Sequence, residues 1–243
     1  MNGIIVADKP AGWTSHDVVA KVKRTLGAKK VGHLGTLDPL ATGVLPLVIN
    51  GATRYARFLE GGLKVYEARM RLGVATDTYD STGKVLAEID PSGVKEDDVR
   101  SALNSFVGQI LQVPPMFSAI KRDGVPLYKL ARAGAVVERQ AKEITITAIE
   151  AVAIELPDVA FKVWASRGTY VRSICHDMGA LLGCGGHMTA LRRVGCGIFS
   201  IDEAIDPRAC MEELTVSLMP LDVALLSAGV KVGAHGQAEL AAL

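Results

Sequence analysis

The sequence predicts an α+β fold with a mixed, mainly antiparallel central sheet and flanking helices. Segments with the two-residue period of strands are interspersed with segments that have the 3.6-residue period of helices. They lack the regular strand–helix alternation of a parallel α/β protein. Hydrophobic residues make up 49% of the 243 residues, which is enough for one sizeable core. No Pro/Gly/Ser-rich linker divides the chain, which favours one main domain.

The first sixty residues predict two buried strands separated by a helix and a loop. Short apolar runs indicate the strands, and valines that recur at helical spacing indicate the helix. Glycine and proline with little apolar periodicity indicate the loop. The predicted elements are a strand at 3–7, a helix from Ser15 that ends at Gly27, a loop at 27–43, a strand at 44–49 and a short helix around 52–60.

Residues 64–72 alternate between apolar and charged side chains. This period predicts a half-buried strand whose Tyr66 side chain points into the core. The apolar face carries Tyr66, Ala68, Met70 and Leu72, and the opposite face carries Glu67, Arg69 and Arg71.

The rest of the chain continues this mixture of periods. Apolar residues at helical spacing indicate two further helices, and runs rich in Ile, Val and Thr indicate strands. The predicted elements are a helix at 95–107 with Val99, Leu103, Phe106 and Val107 on its apolar stripe, strands at 142–155 and 159–165, a helix at 170–182 and an extended segment at 188–200.

The net charge of +1 conceals two basic stretches. Residues 1–59 hold eight basic and three acidic residues, a net charge of +5, and residues 110–193 hold eleven and seven, a net charge of +4. Two acidic stretches balance them: residues 60–109 have a net charge of −3, and residues 194–243 have a net charge of −5. Basic stretches that fold onto one face would bind a polyanion such as a nucleic acid, whereas the alternative is ordinary solvated surface charge.

Features that the sequence lacks argue against several classes of protein. It has no run of 18 apolar residues for a spanning helix, and its N-terminus lacks the basic and apolar regions of a signal peptide. Four cysteines are scattered without a CxxC pair, which favours reduced thiols over disulfides or a zinc site. These features predict a cytoplasmic protein that is not in a membrane.

The loop GHLGTLDPLATG at 32–43 places Asp38 just before a buried strand. Thr36 and Thr42 are close enough in sequence to hydrogen-bond its carboxylate. The spacing does not match the GxxxxGK[ST] phosphate-binding loop, and His33 and Asp38 have no third metal ligand nearby. By itself the segment indicates either a common Asp-Pro turn or a candidate catalytic carboxylate.

Six ordered motifs resemble the bacterial tRNA pseudouridine-55 synthase family (TruB). GHLGTLDPLATGVL resembles the family's catalytic loop. The other five are KPAGWTSHDVV at 9–19, KVYEARMRLGVATDTYDSTG at 64–83, PPMFSAIKRDGVPLYKLARAG at 114–134, SRGTYVRSICHDMG at 166–179 and LRRVGCGIFS at 191–200. The resemblance covers residues 3–226, and six motifs in the right order are far more specific than a single GTLDP.

The resemblance implies a tRNA pseudouridine(55) synthase, an isomerase that converts uridine to pseudouridine in the T-loop of tRNA. Asp38 matches the family's catalytic aspartate, and Tyr66 matches a tyrosine that stacks on the target base. Arg172 matches an arginine that would pair with Asp38 and keep its carboxylate ionised. On the residues alone, Tyr66 is better explained as a core strand tyrosine, and Arg172 is consistent with a surface arginine.

Three further residues match the family's substrate pocket. Tyr170 belongs to the same motif as Arg172, and Leu191 matches an apolar residue that lines the base pocket. His33 matches a histidine that fills the gap left by flipped bases. Without the resemblance, Leu191 would be ordinary core and His33 a loop histidine.

The implied partner is tRNA, through its T-arm stem-loop, whose target base must leave its stack before it can react. Lys9, Lys121 and Arg132 are among the basic residues expected to contact RNA phosphates, although each is also consistent with a solvated charge. No metal or organic cofactor is expected, because the base is only detached, rotated and reattached. The protein is expected to be a monomer without an obligatory protein partner.

The resemblance also suggests a domain organisation. Residues 1–226 would form the catalytic domain, with an RNA-clamping insertion at about 114–140, and residues 227–243 would form a short C-terminal tail. Family members commonly add a small C-terminal PUA domain that binds the acceptor stem, and this tail is too short to form one.

Three alternatives remain open at the level of sequence. Guide-RNA-dependent pseudouridine synthases share a GTLDP-type loop, but they would need protein and RNA partners and an RNA-binding extension. A non-catalytic RNA-binding or RNA-folding module would not need Asp38, Tyr66, Tyr170 and Arg172 to be intact. A hydrolase with Asp38 as nucleophile would leave the tyrosine motifs unexplained.

Overall fold

A computed structural model describes residues 1–232 and 238–240. Part of the predicted tail at 227–243 therefore lies outside the described residues. The helices are α1 (Ser15–Thr25), α2 (Ala56–Leu59), α3 (Glu96–Asn104), α4 (Leu127–Arg132), α5 (Val171–Leu181), α6 (Met211–Val216) and α7 (Leu221–Ser227), and two 3₁₀ helices occupy Asn50–Tyr55 and Ile201–Glu203. The strands are β1 (Gly3–Lys9), β2 (Val31–His33), β3 (Thr42–Ile49), β4 (Lys64–Leu72), β5 (Val74–Thr76), β6 (Val85–Glu88), β7 (Gly108–Gln112), β8 (Lys121–Arg122), β9 (Val125–Pro126), β10 (Lys142–Glu155), β11 (Asp158–Ala165), β12 (Gly186–Cys196), β13 (Phe199–Ser200), β14 (Met219–Pro220), β15 (Val230–Val232) and β16 (Ala238–Leu240).

The chain forms two compact units. Unit 1 comprises Met1–Tyr66 and Leu191–Leu243, and unit 2 comprises Glu67–Ala190. Strands β4 and β12 cross the division, so each contributes residues to both units. No linker-like composition marks either crossing point, which explains why the sequence predicted one main domain.

The sheet of unit 1 is built around the antiparallel pair β1 and β3. Strand β14 pairs with β1, β2 pairs with β3, and β12 runs parallel to β3. Both central strands are apolar along almost their whole length, as expected for strands buried on two faces. The core beside them includes Ile4, Val6, Leu34, Val44, Val48, Phe199 and Leu225.

In unit 2, the strands β4, β11, β10 and β7 are neighbours in that order. The β10–β11 and β10–β7 ladders are antiparallel, which confirms the predicted mainly antiparallel sheet and the α+β class. Helix α3 contacts both β10 and α5. Helix α5 contacts β12 backbone to backbone, because a Cβ atom at Gly179 would lie 2.1 Å from the Gly186 nitrogen.

Most predicted elements are confirmed within a few residues, including the strand at 64–72 and the helices at 15–27 and 170–182. Two predictions need correction. The loop at 27–43 contains β2, because three residues are too few for a period to be recognised. The helix predicted to reach residue 107 ends at Asn104, so Val107 lies beyond the helix and is 46% exposed, while Ala102 joins Val99 and Leu103 on the buried stripe.

The four cysteines are free thiols, with Cys175, Cys184 and Cys196 buried and Cys210 exposed. Among the residues that the structure describes, no helix combines the length and apolar character needed to cross a membrane.

Candidate active site

The loop that carries Asp38 is held by hydrogen bonds to the residues that precede Asp38. The Leu37 N–H donates to the Ser15 hydroxyl at 2.9 Å, and that hydroxyl is 3.2 Å from the Leu37 carbonyl. The Arg193 guanidinium donates to the Gly35 carbonyl at 3.0 Å. The Ser15 and Arg193 side chains are both buried, so the backbone that leads to Asp38 is held by hydrogen bonds that are shielded from water.

The same loop is held after Asp38 by Lys9. The Lys9 ammonium is fully buried and donates to the carbonyl oxygens of Pro10, Trp13 and Pro39. Burial lowers the pKa of Lys9 to about 8, although the Asp38 carboxylate opposes this shift. A fully buried ammonium with three carbonyl acceptors does not fit the predicted contact with an RNA phosphate; Lys9 instead anchors the loop.

Tyr66 points into the core, as the alternation of β4 predicted, and is 6% exposed. Burial raises the pKa of its phenol, and the nearby Arg193 guanidinium opposes that rise. Sequence reasoning missed Arg193, which is the second arginine of the LRRVG segment. The two-residue period of β12 could have indicated it, because Arg193 shares a strand face with the buried Leu191.

The remaining predicted residues of unit 1 are partly or largely buried. His33 lies on β2 rather than in an irregular loop, and burial, followed by the Arg193 charge, lowers its pKa. Leu191 is 9% exposed, and its carbonyl accepts a hydrogen bond from the Thr42 hydroxyl at 3.4 Å. The Thr42 hydroxyl, which is near enough in sequence to bond the Asp38 carboxylate, therefore donates to a backbone carbonyl of β12.

In unit 2, Arg172 is buried rather than on the surface. It is 3% exposed and donates to the carbonyls of Phe117 at 2.7 Å and Thr78 at 3.4 Å, and its guanidinium lies 5.6 Å from the centre of the Tyr170 ring. The Tyr170 backbone exchanges two hydrogen bonds with the Gln112 amide, which sets the start of α5. The pairing of Arg172 with Asp38 stays a prediction.

The segment that supplies the Thr78 carbonyl is also ordered by side chains that sequence reasoning did not single out. The Tyr79 ring stacks on the His176 ring with centroids 3.8 Å apart. The buried Asp80 carboxylate accepts hydrogen bonds from Thr78 at 2.8 Å and from Thr82. Tyr79 and Asp80 both lie within the TDTYDST run at 76–82. Small polar residues around an acid, as in this run, indicate a turn closed by side-chain hydrogen bonds.

The predicted RNA-clamping insertion forms the β8–β9 hairpin followed by α4. Lys121 and Arg132 are exposed there, and the Arg132 guanidinium lies 5.5 Å from the centre of the Tyr128 ring. Their exposure is compatible with phosphate contacts, which stay predictions. No group of three or more metal-ligating side chains occurs in the described part of the chain.

Two family models match the chain in succession. The first, TruB family pseudouridylate synthase (N terminal domain), matches residues 23–171. The second, tRNA pseudouridylate synthase B C-terminal domain, matches residues 172–225.

Curated relatives and solved structures agree with these models. The chain is 54% identical to tRNA pseudouridine synthase B of Geobacter sulfurreducens, covering 84% of this chain and 67% of the relative, and 57% identical to that of Geotalea uraniireducens, covering 84% and 66%. For the Burkholderia mallei protein the identity is 49%, covering 93% and 76%. The chain thus spans about two thirds to three quarters of the length of these relatives.

The structure of a Cbf5-Nop10-Gar1 complex contains a chain that is 33% identical, with a TM-score of 0.74, covering 95% of this chain and 63% of that one. A structure of an H/ACA RNP bound to a substrate RNA is 30% identical with a TM-score of 0.71, covering 95% and 62%. With two consecutive family models over residues 23–225 and relatives that are about half identical, the chain belongs to the TruB family of pseudouridylate synthases.

Proposed function

We propose that this chain isomerises one uridine in the T-loop of tRNA, at position 55, to pseudouridine. The observation that carries the proposal is the Asp38 loop, whose backbone is held on both sides by buried groups while the carboxylate itself is only partly buried. A rigid support for one reactive group is what positioned catalysis requires. The relatives named tRNA pseudouridine synthase B support the choice of substrate.

The reaction breaks the C1′–N1 bond of the uridine and joins C1′ to C5, while C5 loses a proton and N1 gains one. Three roles are open to the Asp38 carboxylate: addition to C1′, addition to C6 of the base, or removal of a proton from C2′. Tyr66 would stack on the detached base beside it. The atoms balance without an oxidant, a reductant or an added group, so the proposal includes no cofactor.

The remaining predicted residues have roles around that centre in the proposal. Arg172 would keep the Asp38 carboxylate ionised, and Tyr170 and Leu191 would line the pocket of the flipped base. His33 would fill the gap that the base leaves in the RNA. Lys121 and Arg132 would contact phosphates from the insertion, and the enzyme would act in the cytoplasm as a monomer without a protein partner.

A second candidate function follows from the solved structures, which are a Cbf5-Nop10-Gar1 complex and an H/ACA RNP bound to a substrate RNA. A guide-RNA-dependent enzyme would not modify an isolated T-arm without its partners. The lower identity to those chains, 33% and 30% against 49–57% for the curated tRNA enzymes, favours the tRNA substrate.

The test is to mix purified protein with a T-arm transcript and map pseudouridine by chemical modification and reverse transcription. The wild-type protein alone should modify the T-loop uridine. Asp38→Asn should fold and bind RNA normally but lose at least about 100-fold in rate, because the amide is neither a nucleophile nor a base. Modification by Asp38→Asn within about tenfold of wild type would refute the assignment of Asp38. Modification that appears only with added protein and guide RNA would favour the second candidate.

A further inference from the structure

Arg193 is a fully buried cation beside the Asp38 loop. Its Nε donates to the Val44 carbonyl on β3 at 2.7 Å, and its Nη2 donates to the Gly35 carbonyl, three residues before Asp38, at 3.0 Å. A buried charge is costly unless it is well hydrogen-bonded. These two hydrogen bonds of the guanidinium connect the Asp38 loop to β3, the strand that follows it.

The third nitrogen of Arg193, Nη1, is buried, and it makes no well-aligned hydrogen bond in the part of the chain that the structure describes. The Arg193 guanidinium lies within hydrogen-bonding reach of the Tyr66 phenol, and both its charge and this contact oppose the rise in the phenol's pKa that burial causes. A Cβ atom at Gly35 would lie 3.0 Å from the Lys64 ammonium and 3.4 Å from Nη1, so the loop backbone packs directly against the guanidinium. One side chain thus contacts both segments that carry the proposed chemistry.

We propose that Arg193 is a positioning residue that holds the Asp38 loop and the Tyr66 phenol in one arrangement. The proposal rests on the proposed function for its catalytic consequence. A guanidinium donates in fixed directions from a planar fork, which a lysine ammonium cannot reproduce. The contact between the guanidinium and the Tyr66 oxygen would become a well-aligned hydrogen bond from Nη1 when bound RNA tightens the site, as catalytic hydrogen bonds often do. Arg193 itself acts through its neighbours, because it is buried.

The first test measures the loop without any reaction. Hydrogen exchange is followed in the peptide containing Leu34 and Leu37, whose N–H groups bond to the Pro46 carbonyl and to the Ser15 hydroxyl. Arg193→Lys should speed exchange in this peptide by roughly tenfold, because the link to the Gly35 carbonyl is lost. Equal exchange in wild type and Arg193→Lys would overturn the positioning role.

The matched control is Arg192→Lys. Arg192 is adjacent in sequence, has a side chain that is 39% exposed, and pairs with Asp8 at 2.8 Å. Arg192→Lys makes the same replacement of a guanidinium by an ammonium. It should leave both the hydrogen exchange of the loop peptide and the rate of pseudouridine formation unchanged. An effect as large as that of Arg193→Lys would assign the result to general damage of β12 and overturn the proposal.

The second test separates binding from chemistry on the T-arm transcript. Arg193→Lys should bind with a Kd within about threefold of wild type and react at least about tenfold more slowly in a single turnover. In a Tyr66→Phe background, Arg193→Lys should reduce the single-turnover rate by a much smaller factor, because part of its effect on the rate acts through the Tyr66 phenol. Parallel losses of affinity and rate, or fully independent losses, would overturn the proposal.

If Arg193→Lys does not fold, Gly35→Ala replaces it. The added methyl group meets the Lys64 and Arg193 side chains, and Gly35 has a φ of +78°, so the change loosens the same contact from the loop side. It should reproduce faster exchange and slower reaction, and unchanged exchange would overturn the proposal. A wild-type protein that forms no pseudouridine would instead refute the proposed function, while the exchange measurements would still decide the role of Arg193.

Discussion

At the scale of single residues, Tyr66 combines a buried ring with a hydroxyl whose pKa is raised by that burial. The phenol therefore stays protonated throughout the physiological range. Ring and hydroxyl contribute differently: the ring can stack on a base, whereas only the hydroxyl can take part in proton handling. Substitutions that remove one or both can separate the two contributions.

Tyr66→Phe should bind the T-arm almost as well as wild type and slow the chemical step. Tyr66→Leu should weaken both, because stacking of a base on an aromatic ring is worth roughly 1–3 kcal/mol. Filter binding and single-turnover rates on the same transcript measure the two effects. Identical behaviour of the two variants in both assays would show that Tyr66 does not stack on the base.

His33 provides a prediction about acid stability. Burial, reinforced by the Arg193 charge, lowers its pKa below the ordinary value of 6.5. In the unfolded chain the His33 imidazole takes up a proton near pH 6.5, whereas in the folded protein it does so only at lower pH. The stability that the neutral imidazole contributes is therefore fully present above pH 6.5 and is lost as the pH falls further. His33→Gln should therefore lose less stability than wild type between about pH 7 and 5 in urea unfolding. Equal losses would mean that the pKa of His33 is not lowered.

At the scale of elements, the contact of α5 with β12 depends on the absence of a side chain at Gly179. A Cβ atom there would lie within 2.6 Å of backbone atoms of Gly185 and Gly186, which cannot move as a flexible side chain would. Because α5 also carries Arg172, the contact fixes a predicted active-site residue. Close backbone packing of this kind tolerates only glycine.

Gly179→Ala should lower the free energy of unfolding by about 1–3 kcal/mol, the usual cost of overpacking. Gly93→Ala is the control, since no atom lies within 4 Å of a Cβ at that position. Its stability should change by less than about 0.5 kcal/mol. Denaturant unfolding of both variants makes the comparison. Equal stability of the two would show that α5 shifts to accept the methyl group.

At the scale of the whole molecule, the two basic stretches are less available to RNA than their net charges of +5 and +4 suggest. Lys9, Arg172 and Arg193 are buried and bond to carbonyl oxygens. The exposed cations of the predicted insertion, which include Lys121, Lys129 and Arg132, stay available. Electrostatic attraction to RNA phosphates should therefore come from only some of the basic residues in these two stretches.

The salt dependence of RNA binding tests this balance. If the contacts are confined to the T-arm, Asp38→Asn protein should show similar slopes of log K against log salt for the isolated stem-loop and for whole tRNA. Each slope reflects the number of neutralised phosphates. Whole tRNA should gain little in affinity. A markedly steeper slope for whole tRNA would mean that the chain contacts phosphates beyond the T-arm.

Local sequence patterns determined the longest helices and strands and the direction of Tyr66. Alternation along β4 predicted its buried face, and the apolar runs predicted β1 and β3, because these patterns reflect the geometry of one segment. The catalytic role of Asp38 was predicted by resemblance, since an Asp-Pro turn alone is common. Element ends were less accurate, as at Asn104, because they depend on what the next segment packs against.

Only the tertiary structure decided which charges are buried. Lys9 bonds to Pro39, 30 residues away, and Arg193 bonds to Gly35, 158 residues away. Neither pairing leaves a trace in local composition, where both residues look like surface cations in a basic stretch. Hydrogen bonds to backbone carbonyls also need no particular side chain in the partner. The sequence therefore determined where the proposed catalytic carboxylate lies in the chain, and tertiary contacts alone decided how the loop that carries it is held.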